Sequence, residues 1–581
     1  VSPTAAILNR AKGKTTMTQA LRILVVGGVA CGPKAAARLK RLMPTADVTM
    51  IEKGGLVSYG ACGLPYYVEG LFPNIRTLTH TPAGVPRTPA YFESCKGFRT
   101  LMRTEALSID RVRKTLRVRY LEEGREEDLP YDRLVLATGG QPFRPPIAGL
   151  ELENVWFMTH PDDASSLLRA VKERGLKKAV MVGAGFIGIE MAEALIYQGM
   201  EVTMVEMAGH IMPGVLDADV ARFAQVHLED NGLELVLNQA VTALEGQGSV
   251  RSVVAGGRSI AADAVVIGVG TRPNDHLARE AGLLCQGGIM VNEYCQTSDP
   301  DIYAGGDCVV NHYIDRRLGR SLFVPLGSTA NKHGRVIANH IAGQPTPFSG
   351  ITATSVVRAF EYTLGKTGLT ERMARQMNLD IAVTTWGGQD MPHYMNASRE
   401  FIIKMIASRR DRRLLGVQVA GLGNGAKRLD VAASVIYFGG TLDQLADIDF
   451  GYAPPYGPAL DPLAVCAHVL TNKLDGLADG IPALAAKELL DQGEGVLLDV
   501  RETGEARMVW LPFPQRIHIP LGELKARLDE LPRDKEILTY CQISMRGYEA
   551  QRMLNAAGFQ RVRFIEGGLA AWPFEVASPG L

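Results

Sequence analysis

The sequence predicts a multidomain α/β fold, and three observations carry that prediction. An apolar strand, a glycine turn, an alanine-rich helix and a second strand ending in an acid run through residues 23–52. The same plan recurs at residues 179–206. A strand with a small-residue turn, Leu134-Val135-Leu136-Ala137-Thr138-Gly139-Gly140, lies between them, and Ala264-Val265-Val266-Ile267-Gly268-Val269-Gly270 mirrors it after the second. One nucleotide-binding unit is expected to be nested inside another, the layout of proteins that bind two dinucleotides.

The 581 residues exceed what a single core supports. Lys plus Arg equals Asp plus Glu at 62 each, so no polybasic surface points to nucleic acid or an anionic membrane, and small molecules fit better as partners. Eight cysteines are scattered without zinc spacing or the density of a secreted scaffold, which favours a reducing, cytoplasmic home and no metal. No apolar run reaches the roughly 18 residues of a membrane span. Residues 1–20 carry Arg10, Lys12 and Lys14 without an apolar core and are expected to be a disordered extension.

The first turn, Gly27-Gly28-Val29-Ala30-Cys31-Gly32, has Val29 where a GxGxxG motif has its middle glycine, yet Glu52 and Lys53 follow the second strand as a ribose-binding acid and its neighbour. With Ala137, Thr138 and Gly139, and with Gly306-Asp307, whose carboxylate can accept a hydrogen bond from a ribityl hydroxyl, this turn predicts FAD. Cys62 comes next, in Val57-Ser58-Tyr59-Gly60-Ala61-Cys62-Gly63-Leu64-Pro65-Tyr66-Tyr67, with no cysteine two or four residues away. A local pair would store two electrons in an internal disulfide, whereas a lone cysteine must pair with sulfur brought by the substrate. The substrate is therefore expected to carry reducible sulfur. Placed early on a helix that Gly63 and Pro65 help to aim, Cys62 is expected to have a lowered pKa. Cys31, Cys95, Cys285, Cys295, Cys308 and Cys466 read as structural.

Gly183-Ala184-Gly185-Phe186-Ile187-Gly188 matches GxGxxG between a strand and a helix that carries Glu190. Those glycines let the backbone approach a pyrophosphate at the helix N-terminus, and Glu206 would bind a ribose diol and repel a 2′-phosphate, favouring NADH over NADPH. Gly270 ends the strand that returns the chain to the first unit. From about residue 350 the texture changes to alternating strands and a helix near 426–438, which suits an α+β interface unit. The expected units are 21–150 with 271–345 for FAD, 151–270 for NAD(P)H, 346–473 for the interface, a linker at 474–482, and an α/β unit at 483–581. In that last unit Ile537-Leu538-Thr539-Tyr540 delivers Cys541 into a loop ending at Arg546, ahead of a helix near Tyr548. Backbone N–H groups there would form a nest for an anion on sulfur. Four residues separate Cys541 from Arg546, one fewer than in a phosphatase-type loop, and the tighter bowl suits a terminal sulfur atom.

Residues 58–67, Thr88-Pro89-Ala90-Tyr91-Phe92 with Lys96-Gly97, Tyr452-Ala453-Pro454-Pro455, and residues 541–548 together resemble the coenzyme A disulfide reductase family. The resemblance is to its members fused to a C-terminal rhodanese domain, the NADH-dependent persulfide reductases, and covers residues 21–575. It implies a two-dinucleotide-binding flavoprotein with a dimerisation domain and a rhodanese domain, working as a homodimer in which the partner's Tyr394 and Tyr452 approach Cys62. It further implies that Arg38, Arg41, Ser58 and Lys96 bind coenzyme A as a substrate moiety, and that Cys541 and Arg546 handle sulfane sulfur. Ala61, Leu460 and Ser544 depart from the family's usual asparagine, lysine and glycine. Losing an amide and a cation from the channel broadens the expected substrate towards a thiol persulfide or polysulfide besides the disulfide. The alternatives are an NADH oxidase or peroxidase cycling through a cysteine sulfenic acid, and a redox-sensing sulfur carrier that does not turn over.

Overall fold

The computed structural model describes residues 20–579, and the extension expected at the N-terminus lies outside them up to residue 19. The first unit is a five-stranded parallel sheet ordered Ile302–Ala304, Arg133–Leu136, Arg22–Val26, Asp47–Ile51, Arg99–Leu101. Its central strand alternates between two cores: Ile23 and Val25 pack with Leu39 and Met50 on one face, Leu24 and Val26 with Leu134 and Leu136 on the other. Burial on both faces explains the unbroken apolar run. The helix Cys31–Leu42 covers one face and is crossed by Gly327–Ile341 at Gly334, where a Cβ would stand 2.6 Å from the Cys31 carbonyl oxygen.

The second unit repeats the plan, with strands Leu233–Val236, Glu201–Val205, Lys178–Val182, Ala264–Ile267 and Val155–Trp156 all parallel. In both sheets the chain leaves the central strand to one side and returns on the other, and the glycine turn sits at that reversal, where α/β sheets bind ligands. The chain's passages out of and back into the first unit run side by side, Gly140–Pro142 pairing antiparallel with Thr271–Pro273.

The interface unit is an antiparallel sheet ordered Ser355–Ala359, Tyr362–Gly368, Leu414–Gly421, Glu400–Ser408, Ile381–Gln389, covered by Gly425–Tyr437 and Pro462–Leu474. The C-terminal unit is a third five-stranded parallel sheet. Its edge strand Gly480–Ile481 comes from the expected linker, which is shorter because these residues pair with Val562–Ile565. Gly480 is required there, since a Cβ would meet Glu566 Oε1 at 2.5 Å. The helix expected near Tyr548 begins at Met545. Among the described residues no helix is long and apolar enough to cross a membrane.

Candidate active site

The two glycine turns share one plan. In the first, Gly27 has φ +109° and a Cβ would lie 2.0 Å from the Ala137 carbonyl oxygen, while a Cβ on Gly32 would lie 1.8 Å from that of Gly27. In the second, Gly183 has φ +99°, and a Cβ on Gly188 would lie 2.1 Å from its carbonyl oxygen. The acid after each second strand reaches back to its turn. Glu52 accepts from the amides of Gly28 at 2.7 Å and Gly54 at 2.6 Å. Glu206 accepts from those of Ala184 and Ala208, each at 2.8 Å. Val29 and Ala30 are half-buried in the first turn, as is Ile187 in the second, and a Cβ on Gly185 would have nothing nearer than 3.9 Å, leaving that backbone open to a ligand.

The floor between the turns is tied by Thr138 Oγ1 donating to the Asn274 carbonyl at 2.6 Å and by the Asn274 amide donating to that of Gly139 at 2.9 Å. Gly139 and Gly270 both take positive φ there. Asp307 is half-buried, its carboxyl pushed up by burial, with no side-chain hydrogen bond among the described residues. An acceptor left open beside a glycine cradle fits the hydroxylated chain and pyrophosphate of FAD, and the second turn fits NAD(P)H. Lys53 points elsewhere, pairing with Glu105 at 2.6 Å. His333, which the sequence reading passed over, accepts from the Gly306 amide through Nδ1 at 3.1 Å, and burial pulls its pKa down to about 4. It is therefore a neutral support for the loop that carries Asp307.

Cys62 lies in a 3₁₀ turn, Ala61–Gly63, ahead of the six-residue helix Leu64–Glu69. It is open to solvent on one side and unpaired. Its pKa is raised, contrary to the sequence expectation: burial of its other side comes first, then the negative charges of Glu190 and Asp307. A single short turn supplies too little helix dipole to outweigh them. The same two carboxylates locate the thiol, because Asp307 belongs to the first unit and Glu190 to the helix Phe186–Tyr197 of the second. Glu190 is itself raised by burial and accepts from the Tyr66 hydroxyl at 2.9 Å. Arg358 of the interface sheet pairs with Glu69 at 2.5 Å and Glu193 at 2.8 Å, binding three units around the cysteine.

Among the expected substrate residues, Arg38 donates to Asn339 Oδ1 at 3.0 Å and stands close enough to Arg335 and Arg41 for its pKa to fall, after desolvation, through their charges. Ser58 takes φ +50° and its carbonyl accepts from Arg87 at 2.6 Å. Lys96 lies over the Tyr91 ring at 5.4 Å. Tyr394 and Tyr452 are 61% and 56% exposed, and among the described residues neither hydroxyl is hydrogen-bonded within the protomer.

In the C-terminal unit Cys541 is buried at the end of the strand Glu536–Tyr540. The Leu569 amide donates to its carbonyl and the Ala570 amide to that of Gln542, both at 2.9 Å. Gly568 lies against the loop, where a Cβ would be 2.5 Å from the Cys541 carbonyl oxygen. Ser544 takes φ +79°, a conformation that favours glycine, and so keeps the turn its family's usual glycine would make. Arg546 forms a two-bond ion pair with Glu505, at 2.6 and 2.7 Å. Sequence spacing gives no sign of that pair, because Glu505 comes from a different element.

Three family models match the chain: pyridine nucleotide-disulphide oxidoreductase over residues 21–331, its dimerisation domain over 354–464, and a rhodanese-like domain over 483–574. The structure of an NAD-dependent persulfide reductase from A. fulgidus is similar with a TM-score of 0.91 and 41% identity, covering 95% of this chain and all of the other. An NAD(P)H sulfur oxidoreductase (CoA-dependent) of Pyrococcus abyssi is 35% identical over 77% of this chain and 98% of its own length. An NADH oxidase of Methanocaldococcus jannaschii is 32% identical over 78% of this chain and 99% of its own.

Proposed function

The chain belongs to the pyridine nucleotide-disulphide oxidoreductase family, and from that premise we propose that Cys62 is the redox-active thiol through which sulfur-sulfur bonds are cleaved. The protein is an FAD- and NAD(P)H-dependent reductase of the coenzyme A disulfide and persulfide type with a rhodanese-like domain. The observation that carries the Cys62 reading is its position: one free thiol, half open to solvent, in the field of an acid from each nucleotide unit. The rhodanese-like domain favours sulfur over oxygen as the acceptor, since the likeness to the persulfide reductase structure covers 95% of this chain and so takes that domain in, whereas the oxidase relative covers 78%.

The raised pKa keeps Cys62 as a thiol at rest. It gives up its proton as it attacks the outer sulfur of R–S–SH: the Cys62–sulfur bond forms, the substrate's S–S bond breaks, and the departing thiolate takes the proton to leave as R–S–H. Attack on R–S–S–R follows the same balance and leaves a mixed disulfide. FAD, when bound, would supply the two electrons, drawn from NAD(P)H, that with two protons return Cys62 to the thiol and release the transferred sulfur as hydrogen sulfide, or the second R–S–H from the mixed disulfide. Gly27, Gly28, Gly32, Glu52 and Asp307 would hold FAD, and Gly183, Gly185, Gly188 and Glu206 the nicotinamide nucleotide. Arg38 and Arg41, with Arg335, form a cationic cluster that pairs with no carboxylate among the described residues and suits the phosphates of coenzyme A.

We further read the molecule as a homodimer, on the match to a dimerisation domain and on the exposed Tyr394, Tyr452, Tyr456 and Phe438. The partner's Tyr394 and Tyr452 would then supply protons to departing sulfur. A cytoplasmic home follows from the need for NAD(P)H and free thiols. The test is anaerobic: Cys62→Ser is reduced with NADH and then offered a thiol persulfide. Flavin reoxidation is expected to fall at least about a thousandfold, as when a nucleophile is removed. Reoxidation at the wild-type rate would remove Cys62 from the reaction.

A further inference from the structure

A loop that binds an anion needs a cation to offer it, and the cation of the Cys541 loop is already neutralised. Both terminal nitrogens of Arg546 are engaged by Glu505. The same carboxylate accepts from the Glu502 amide through Oε2 at 3.1 Å, which fixes it on the helix Thr503–Met508. Arg501, the other guanidinium within electrostatic reach of Glu505, is buried and paired with Asp499 at 2.7 Å. Arg507 follows Glu505 by two positions and so lies on another face of that helix. With Cys541 as the attacking thiolate, the group Cys541–Arg546–Glu505 carries one net negative charge.

Three exposed apolar side chains belong to the loop and to the helix that carries Glu505. Ile543 and Met545 of the loop are exposed, and Met508, 67% exposed, stands three residues after Glu505 and hence on the same helix face. The two unbranched thioethers, Met508 and Met545, suit contact with a flexible, largely uncharged arm. We propose that the rhodanese-like domain takes its sulfur from organic persulfides, and that Glu505 is the specificity-determining residue that turns inorganic thiosulfate away. This rests on the reading of Cys541 as a sulfur acceptor.

The transfer balances without an oxidant. Cys541 thiolate attacks the outer sulfur of R–S–SH, a Cys541–sulfur bond forms, and the S–S bond breaks with its electron pair leaving on R–S⁻. Thiosulfate would bring two negative charges to a group already negative and would release sulfite, itself a dianion, beside an Arg546 whose charge Glu505 already balances. An organic donor brings less charge to the sulfur and lays its arm on Met508 and Met545.

The test uses the reduced full-length chain, offered pantetheine persulfide or inorganic thiosulfate, with mass spectrometry reading the gain of one sulfur atom on the Cys541 peptide. Wild type is expected to load from the persulfide at least about tenfold faster than from thiosulfate, and Glu505→Gln to raise thiosulfate loading about tenfold or more without raising persulfide loading. Met508→Lys, at an exposed site with no packing to lose, offers Glu505 a second cation and moves the ratio in the same direction. Equal loading of wild type by the two donors, or a donor ratio unchanged in both variants, overturns the proposal. Loading of wild-type Cys541 by neither donor overturns the sulfur-transfer reading beneath it.

Discussion

At the scale of single residues, the acids after the second strands act twice. Glu206 orders its own turn through two backbone amides, and on the reading of that turn as the NAD(P)H site its charge would repel a 2′-phosphate. Glu206→Gln keeps a carbonyl acceptor but removes that charge, so the ratio of kcat/KM for NADPH over NADH is expected to rise about tenfold, chiefly through KM, in steady-state assays of the two nucleotides. Glu206 was legible in the sequence because the motif fixes its distance from the turn. Cys62 stood out in the sequence as a lone cysteine beside Gly63 and Pro65, but the direction of its pKa was not legible, because Glu190 and Asp307 reach it from distant parts of the chain. Glu505 was hidden in the same way, being brought to Arg546 only by the fold.

Among the elements, the interface sheet holds a row of polar side chains inside its cover. Lys366, Gln418 and Lys404 are neighbours across three strands. Lys404 is held by Asp219 and Glu371, each at 2.8 Å, and its pKa is raised despite burial. Lys366 is 5% exposed and reaches only the Gly368 carbonyl and the Met373 sulfur, so burial pulls its pKa down to about 8, with Asp217 opposing. Its folded value lies below its unfolded one, so the native chain binds fewer protons between the two and stability rises as pH climbs from about 8 to about 10. Lys366→Met is expected to stabilise the protein by on the order of 3 kcal/mol at pH 7, an advantage that shrinks through that window in thermal melts. The periodicity of these strands was readable from sequence. Their inward lysines were not, since a charge on a strand usually marks the solvent face and the acids that accommodate Lys404 lie on the second unit and on the helix Glu371–Gln376.

On the scale of the whole molecule, four units were legible from turn spacing and texture, whereas their mutual packing was not. The C-terminal unit is fastened to the interface sheet through Glu566, which is buried, pairs with Lys473 and accepts from the Thr385 amide at 2.9 Å. Beside it two backbones meet at Gly387, where a Cβ would stand 3.0 Å from the Gly567 carbonyl oxygen and 3.3 Å from Ala571 Cβ. Gly387→Val is expected to weaken this seam by about 1–3 kcal/mol and to speed release of the C-terminal unit in limited proteolysis, with little change in the reductase half.

That seam has a kinetic corollary. Gly567 opens the segment that props the Cys541 loop, so on the proposed reading of Cys541 as a sulfur acceptor its thiol stays at one station. On that reading any cargo would be ferried, and throughput would track how much carrier is present and how long it dwells, as in a relay whose runners move while the posts stand still.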